Sequence, residues 1–275
     1  MNFPDRINSC FVIVTYNPDF NFTINLLRHL EIVDKIIIID NNSNTDIETF
    51  IPNEFLSNII IIHSNINYGI AWGLNKGLKQ ALELSYEWVV TFDQDSFPNI
   101  NILLYYTEVL KNEKNVGLIG TSFAPEIVKL NKISWSKKLT IITSGTLHPT
   151  DFFDKVGFYT EKLFIDCVDF DFSLRVKMAG YDVIRINEPL LKHKLGSPIK
   201  KFGLTSSNHN LIRRYYYGKN NVYLSKIYFK KFPLWIIKKN YFFIKSIIIL
   251  ILVERDVYNK IISVLKGIKD GFKDN

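Results

Sequence analysis

Only two cysteines occur among the 275 residues, Cys10 and Cys167, each inside an apolar stretch with no second cysteine or histidine at metal-ligand spacing. That excludes a disulfide-stapled scaffold and a cysteine-based zinc site, and both thiols are expected to be reduced and buried. No Gly-x-Gly-x-x-Gly follows the first apolar run, which argues against a Rossmann dehydrogenase. There is no Gly-x-Ser-x-Gly either, so a serine-nucleophile elbow is not expected. Residues Met1 to Asn8 carry Asp5 and Arg6 and lack an apolar core, unlike a cleavable secretion signal. The expected working compartment is therefore inside the cell. Internal repeats and low-complexity linkers are also missing. With 47% hydrophobic and 22% charged residues, the chain has the composition of a folded protein with a sizeable core.

Acidic residues are scarce at one end. Residues 192–275 hold 18 Lys/Arg against 4 Asp/Glu, a balance of +14, whereas residues 1–191 hold 16 against 23, or −7. A basic segment suits nucleic acid, an anionic membrane or a phosphorylated substrate, and its apolar content decides among them. From Phe232 to Val253 it is rich in Ile, Leu, Phe, Tyr and Trp, interrupted by Lys238, Lys239 and Lys245. A central lysine costs about 2.5–3.5 kcal/mol in a membrane span, so one or two interfacial helices are expected, their lysines reaching lipid headgroups. Aromatics set within aliphatic runs do not make a stacking platform for nucleic acid. A core or dimer helix is the alternative.

The front of the chain alternates short apolar runs with longer amphipathic segments, the pattern of an α/β domain with a mostly parallel sheet. Strands are expected at Cys10 to Tyr16, Lys35 to Asp40, Asn58 to His63 and Trp88 to Phe92. Three of them run into polar tips: Thr15-Tyr16-Asn17-Pro18, Asp40-Asn41-Asn42-Ser43 and Asp93-Gln94-Asp95-Ser96. Carboxyl ends of strands form the ligand crevice in open α/β sheets, so these tips are expected to converge. Gly69 to Gly77 opens the segment after the third strand, where small residues serve either close approach to an anion or helix-to-sheet packing.

Carboxylates two apart on an extended segment face one way, so Asp93 and Asp95 could address one hard cation, Mg²⁺ or Mn²⁺. The plainer reading is a turn in which Asp93 caps a helix beginning near Pro98. A second acidic cluster, Asp166-Cys167-Val168-Asp169-Phe170-Asp171, enters an amphipathic helix ending near Gly180. Negative charge in a first helical turn is favoured by the helix dipole, and partial burial would suit a carboxylate to general-base work. His193 is a surface or packing histidine, or, near a metal site, a contact to metal or phosphate.

Taken in order, these segments resemble the family-2 inverting glycosyltransferases of the GT-A fold, and among them the bacterial rhamnosyltransferase-like group. Asp93-Gln94-Asp95-Ser96 is similar to the family's metal motif in the form with central Gln, and Asn67-Tyr68-Gly69 through Asn75-Lys76-Gly77 to its Asn-x-Gly helix. Gly157-Phe158, Glu161 to Asp166 and Arg213-Arg214-Tyr215 continue the match over roughly residues 10 to 220. Val168 stands where many relatives carry Glu, whose contribution is then absent or supplied by Asp166 or Asp171.

The resemblance implies a GT-A domain over residues 1–225 and a basic, membrane-associating helical extension over 226–275. It implies that Thr15, Tyr16, Asn17, Asp40, Asn42, Asn67, Gly69, Gly73, Asn75, Asp93 and Gln94 bind the nucleotide sugar. Asp95 and His193 would hold Mg²⁺ or Mn²⁺, and Asp169 would be the catalytic base, with Asp166, Asp171 and Arg175 on the acceptor side. The expected donor is dTDP-rhamnose, with UDP-galactose, UDP-galactofuranose or a UDP-N-acetylhexosamine as the alternative. The expected acceptor is a lipid-linked glycan of a surface polysaccharide, O-antigen or capsule, met by a peripheral enzyme on the inner face of the bacterial cell membrane, with the monomer and the dimer both open. A non-catalytic, membrane-peripheral nucleotide-binding protein is the reading from a different class.

Overall fold

A computed structural model describes residues 2–126, 132–193 and 198–274, with His193 described by its backbone only. The first half runs β1 (Ser9–Thr15), α1 (Phe22–Leu30), β2 (Ile36–Asp40), β3 (Ile59–His63), α2 (Ile70–Glu83), β4 (Trp88–Asp93), β5 (Ser96–Pro98) and α3 (Ile102–Asn112). It continues through β6 (Val116–Ala124), β7 (Trp135–Lys138), β8 (Thr146–Pro149), α4 (Phe153–Val156), α5 (Val168–Met178) and β9 (Asp182–His193). A hairpin, β10 (Ile199–Lys201) and β11 (Leu204–Ser206), precedes the helices α6 (Leu211–Tyr228), α7 (Pro233–Val253) and α8 (Val257–Lys273). The four expected strands are present within a residue or so of their expected bounds.

β1 shows why the sheet forms. All seven of its residues are buried, because helices cover both faces and alternate side chains enter different layers. Phe11 and Ile13 join a core with Phe22 and Leu26 of α1 and Ile102 and Tyr106 of α3. Val12 and Val14 face α2 across its glycines: a Cβ on Gly77 would stand 2.2 Å from Val12 Cγ1, and one on Gly73 2.7 Å from Val14 Cγ1. Helix-to-sheet packing therefore accounts for Gly73 and Gly77. Gly69, at φ 88°, ends the loop before α2 in a conformation that favours glycine.

Among the described residues the sheet has nine strands, ordered β3-β2-β1-β4-β8-β6-β9-β5, with β7 also on β9. It is parallel from β3 to β4 and again between β6 and β9. The expectation of a mostly parallel sheet holds for that first half only. β8 enters antiparallel between β4 and β6, and β5 and β7 run antiparallel to β9. The reversal into β8 uses Gly145 at φ 68°, whose N–H donates to Thr91 O at 2.8 Å.

The chain forms two compact units. One comprises Met1–Lys162 and Asp169–Lys194; the other comprises Leu163–Val168 and Leu195–Asn275. The boundary expected near residue 225 falls inside α6, and the compact second unit begins earlier because α6 and α8 pack as one body. Their backbones touch at glycine: a Cβ on Gly267 would lie 2.0 Å from Tyr215 O, and one on Gly218 2.5 Å from Val264 O. Arg214, Glu254 and Lys260 are buried together in this unit, with Lys260 Nζ 2.7 Å from Glu254 Oε2 and Arg214 bonded to Glu254 Oε1. Both cysteines are buried, as expected.

Candidate functional site

The carboxyl ends of the parallel strands carry the polar tips, and register aligns them. Thr15 lies opposite Asp40 and Asp40 opposite His63, while Asp93 pairs with Val14 one step back. Asp40 is only 5% exposed. Its carboxylate accepts from Ser43 N at 3.2 Å and Thr15 Oγ1 at 3.3 Å, and His63 Nδ1 stands 3.5 Å away. The other ring nitrogen of His63 reaches Glu48 at 3.0 Å. Glu48, and then Asp40, raise the His63 pKa above its ordinary 6.5 against the opposing effect of burial. The imidazole thus lies between two carboxylates that favour its charged form.

Asparagine side chains lace these tips together. Asn17 and Asn42 adopt left-handed backbone, φ 49° and 69°, which asparagine tolerates better than most residues. Asn17 N donates to Ser43 Oγ at 2.8 Å, and Asn44 N to Asn17 Oδ1 at 2.7 Å, joining the loops after β1 and β2. Asn41 joins the loops after β2 and β3. Its amide donates to Asn67 Oδ1 at 3.0 Å and Gly69 O at 3.1 Å, and its oxygen accepts from Tyr68 N at 3.0 Å. Asn67 Oδ1 also accepts from Gly69 N, so the turn into α2 is held from both sides.

Beyond β4 the chain turns at Gln94-Asp95 and returns as β5. The expected alternative, Asp93 capping a helix near Pro98, does not occur: α3 begins at Ile102, and Asn101 is its N-cap residue. Ser144 Oγ receives the Asp93 N–H at 3.2 Å and bonds Ser96 Oγ at 2.7 Å, fixing both flanks of the turn. Gln94 Oε1 accepts from Tyr16 N at 2.7 Å, which ties this turn to the end of β1. Asp95 is exposed and Asp93 half-buried. Backbone pairing sets Ser96 opposite His193, so His193, 97 positions later, lies in register next to the acidic turn. The His193 side chain and Lys194 to Gly196 lie outside the described residues.

Asn75, on α2, receives Tyr159 N on its oxygen at 2.8 Å and donates to Tyr159 O and Glu161 Oε1 at 2.9 and 2.8 Å. Asp171 is 1% exposed and accepts from Thr160 Oγ1 at 2.7 Å and Arg175 Nε at 3.1 Å. Arg175 in turn donates to Val156 O and Phe158 O, both at 2.7 Å. These three residues therefore brace the segment 156–161 that precedes the acidic cluster. Asp169 sits in the first turn of α5. Burial, and after it the charge of Asp169, raise the phenol of Tyr159 far above its ordinary range.

Within the second unit, Phe164, Asp166 and Cys167 all have φ between 56° and 64°, a run that costs about 1–3 kcal/mol per residue and persists only when held. Asn220 holds it: its amide nitrogen lies within 2.6, 2.8 and 2.9 Å of the carbonyl oxygens of Leu163, Ile165 and Asp166. Arg213 grips the Asp166 carboxylate at 2.8 and 3.1 Å, and Tyr216 stacks on Phe164 at 4.6 Å. The last of these residues, Cys167, stands two positions before Asp169.

The model of the family described as glycosyl transferase family 2 matches residues 10–169, more than half of the chain. The chain belongs to that family. A dTDP-rhamnosyl transferase, RfbF of Shigella flexneri, is 28% identical over 230 residues, covering 76% of this chain and 77% of the relative. Among solved structures, S. aureus TarS 1-349 in complex with UDP-GlcNAc matches with TM-score 0.59 at 12% identity, over 97% of this chain and 73% of that one. GalNAc-T7 with UDP, GalNAc and Mn²⁺ matches with TM-score 0.57 at 12% identity, over 83% of this chain and 49% of the other, so this chain spans about half of it. These structural likenesses establish the GT-A fold expected from the sequence.

In this glycosyltransferase no group of three or more His, Cys, Asp or Glu among the described residues could alone hold a metal ion. Asp93 and Asp95 nevertheless suit a Mg²⁺ or Mn²⁺ site of the kind that takes one or two carboxylates and completes its shell with substrate phosphates and water. The match ends at Asp169, and the strand tips, the acidic turn and α2 all lie inside it. The individual contacts of Asn41, Ser43, His63 and Ser144 emerge only from the structure. His63 had a signal, since the third strand also ends in a polar step, His63-Ser64-Asn65. Ser144 had none: it reaches the site through the antiparallel entry of β8.

Proposed function

We propose that this glycosyltransferase transfers L-rhamnose from dTDP-rhamnose, with inversion, to a lipid-linked acceptor of a bacterial surface polysaccharide, O-antigen or capsule, at the inner face of the cell membrane. The observation that carries the reading is the alignment of Asp40, Asp93 and the Gln94-Asp95 turn along one edge of adjacent parallel strands. The dTDP-rhamnosyl transferase relative supports rhamnose among the possible sugars.

On this reading the donor site consists of Thr15, Tyr16, Asn17, Asp40, Asn42, Asn67, Gly69, Gly73, Asn75, Asp93 and Gln94. Asp40 reads the base edge, its position fixed by Ser43 and Thr15. Asp95, with His193, would hold Mg²⁺ or Mn²⁺, which when bound neutralises charge on the diphosphate. The GalNAc-T7 structure with Mn²⁺ supports a divalent ion in this fold. Asp169 takes the proton of the acceptor hydroxyl as its oxygen bonds the anomeric carbon, and the carbon–oxygen bond to the diphosphate breaks with its electron pair on the leaving group. Asp166, Asp171 and Arg175 shape the acceptor side by holding the segments that flank Asp169.

The test is transfer from dTDP-rhamnose in Asp169→Asn, read beside thermal stabilisation by dTDP, UDP and GDP with Mg²⁺ or Mn²⁺. Turnover should fall at least about a hundredfold while dTDP stabilisation stays. A shift largest with UDP would replace the donor. Undiminished turnover in Asp169→Asn would remove Asp169 as base, and folded protein with no shift for any nucleotide would overturn the donor site.

A further inference from the structure

We infer that one face of α7 and α8 is a docking surface for an anionic phospholipid bilayer, with α7 lying along the membrane rather than through it. The inference gives the proposed membrane encounter a defined surface and rests on that reading for its purpose.

α7 has two faces of different destination. Ile236, Phe243 and Leu250, seven residues apart, are buried, and Phe243 packs on Tyr217 at 5.0 Å between ring centres. Leu234, Ile237, Tyr241, Ile244, Ile248 and Ile251 follow at alternating steps of three and four, a spacing that keeps them on one side of the helix. Each of the six is more than half exposed. α8 adds a parallel stripe: Tyr258, Ile262, Leu265 and Phe272 recur at helical spacing, and all are exposed. The two stripes meet at an apolar groove of about 250 Å³, lined by Ile244 and Ile248 from one helix and Ile261, Leu265 and Ile268 from the other. So large a continuous apolar surface needs a partner.

Charge selects it. Lys238 and Lys245 each follow a stripe residue by one position and are exposed, as are Lys266, Lys269 and Lys273 on α8. Lys239 is different: it turns inward to the side chain of Asn221, and burial lowers its pKa. A second copy docked on this face would bring lysine rows together without acids to oppose them. All four acids of residues 195–275 are engaged inside the unit, Glu254 by Arg214 and Lys260, Asp256 by Asn259, Asp270 by Tyr215 and Asp274 by Lys219. Anionic headgroups satisfy the lysines while the stripe enters the acyl boundary. Among the described residues no helix is long and apolar enough to cross a membrane, in keeping with a helix that lies on one.

The experiment is co-sedimentation of the full chain with phosphatidylcholine vesicles with or without phosphatidylglycerol, alongside light scattering in vesicle-free solution. Binding is expected only with phosphatidylglycerol. It should weaken roughly tenfold to thirtyfold in Lys238→Ala/Lys245→Ala and be lost in Ile244→Glu/Ile248→Glu, each variant keeping the nucleotide-dependent thermal shift of the parent. Equal binding to both vesicle types, no binding to either, or unchanged binding by either double variant would overturn the inference. So would a dimer in vesicle-free solution that Ile248→Glu dissociates. The expected vesicle pattern from a protein showing no nucleotide shift would support the surface and overturn the donor reading instead.

Discussion

The strand tips of the first unit and the junction of α6 with the α7–α8 turn in the second are fastened in opposite ways. At the strand tips of the first unit, neutral amides do the joining: Asn17, Asn41, Asn67 and Asn75 bond backbone and one another around an edge that stays open to solvent at Asp95. In the helical unit the fastening is ionic and internal, with Glu254 buried between Arg214 and Lys260. An amide can release a loop at the cost of a hydrogen bond or two, whereas a buried charge that loses its partner is stranded. Strand tips that must admit a ligand suit the first device. A helical body that must hold an apolar face outward suits the second.

The sharpest way to break this contrast is Glu254→Leu, which strands Arg214 and Lys260. Loss of about 3–5 kcal/mol in denaturant unfolding is expected, and a loss below 1 kcal/mol would show that the ionic cluster is not what holds the helices. The same group has a pH signature. Burial pushes the Glu254 carboxyl up, but Lys260, Ser206 and Arg214 together outweigh it and leave its pKa below the ordinary value. Its contribution is therefore present above the ordinary glutamate range and lost as pH falls through the lowered folded value.

Asn41→Ala tests the amide side. Three hydrogen bonds of a residue 3% exposed disappear, and a cost of about 1–3 kcal/mol is expected together with weaker dTDP stabilisation in the same melting experiment. Unchanged dTDP stabilisation would separate the lacing from the donor site. The smallest effect belongs to His63, about half exposed in its side chain and so screened to within about 1 kcal/mol. Because its folded pKa is raised, chiefly by Glu48, its contribution is full below the unfolded value near 6.5 and fades as pH rises through the folded value. Stability measured across that window should decline in the parent and lose that component in His63→Gln.

Much of this was legible before the structure. Short, continuously apolar runs rich in Val and Ile mark β1, β2 and β4, buried along almost their whole length, and polar residues directly after them mark the crevice, because parallel strands expose only their ends. Acidic residues at positions 93 and 95 stand out for the same reason, and Asp169 stands out within the acidic cluster that enters α5. Asn41 was less legible, since nothing local distinguishes an asparagine that bridges two loops from one that merely turns. Asp171 and Arg175 were expected on the acceptor side through the resemblance alone. Burial and the carbonyl oxygens of Val156 and Phe158 show them as a brace.

The tail divides in the same manner. Its basic, apolar composition alone pointed to an interface helix, and the chain's own pattern contains the stripe from Leu234 to Ile251. Which lysines face outward was beyond composition: Lys238 and Lys245 do, and Lys239 turns to Asn221, because the helix is rotated by the packing of Ile236, Phe243 and Leu250. The sequence by itself determined the elements with local signatures, the strands, their polar ends and the charge of the tail. Pairing across long stretches, Ser96 with His193, Ser144 with Asp93 and Glu254 with Arg214, was decided only in the folded chain, since partners 97, 51 and 40 positions apart meet through sheet order and helix packing that no local pattern encodes.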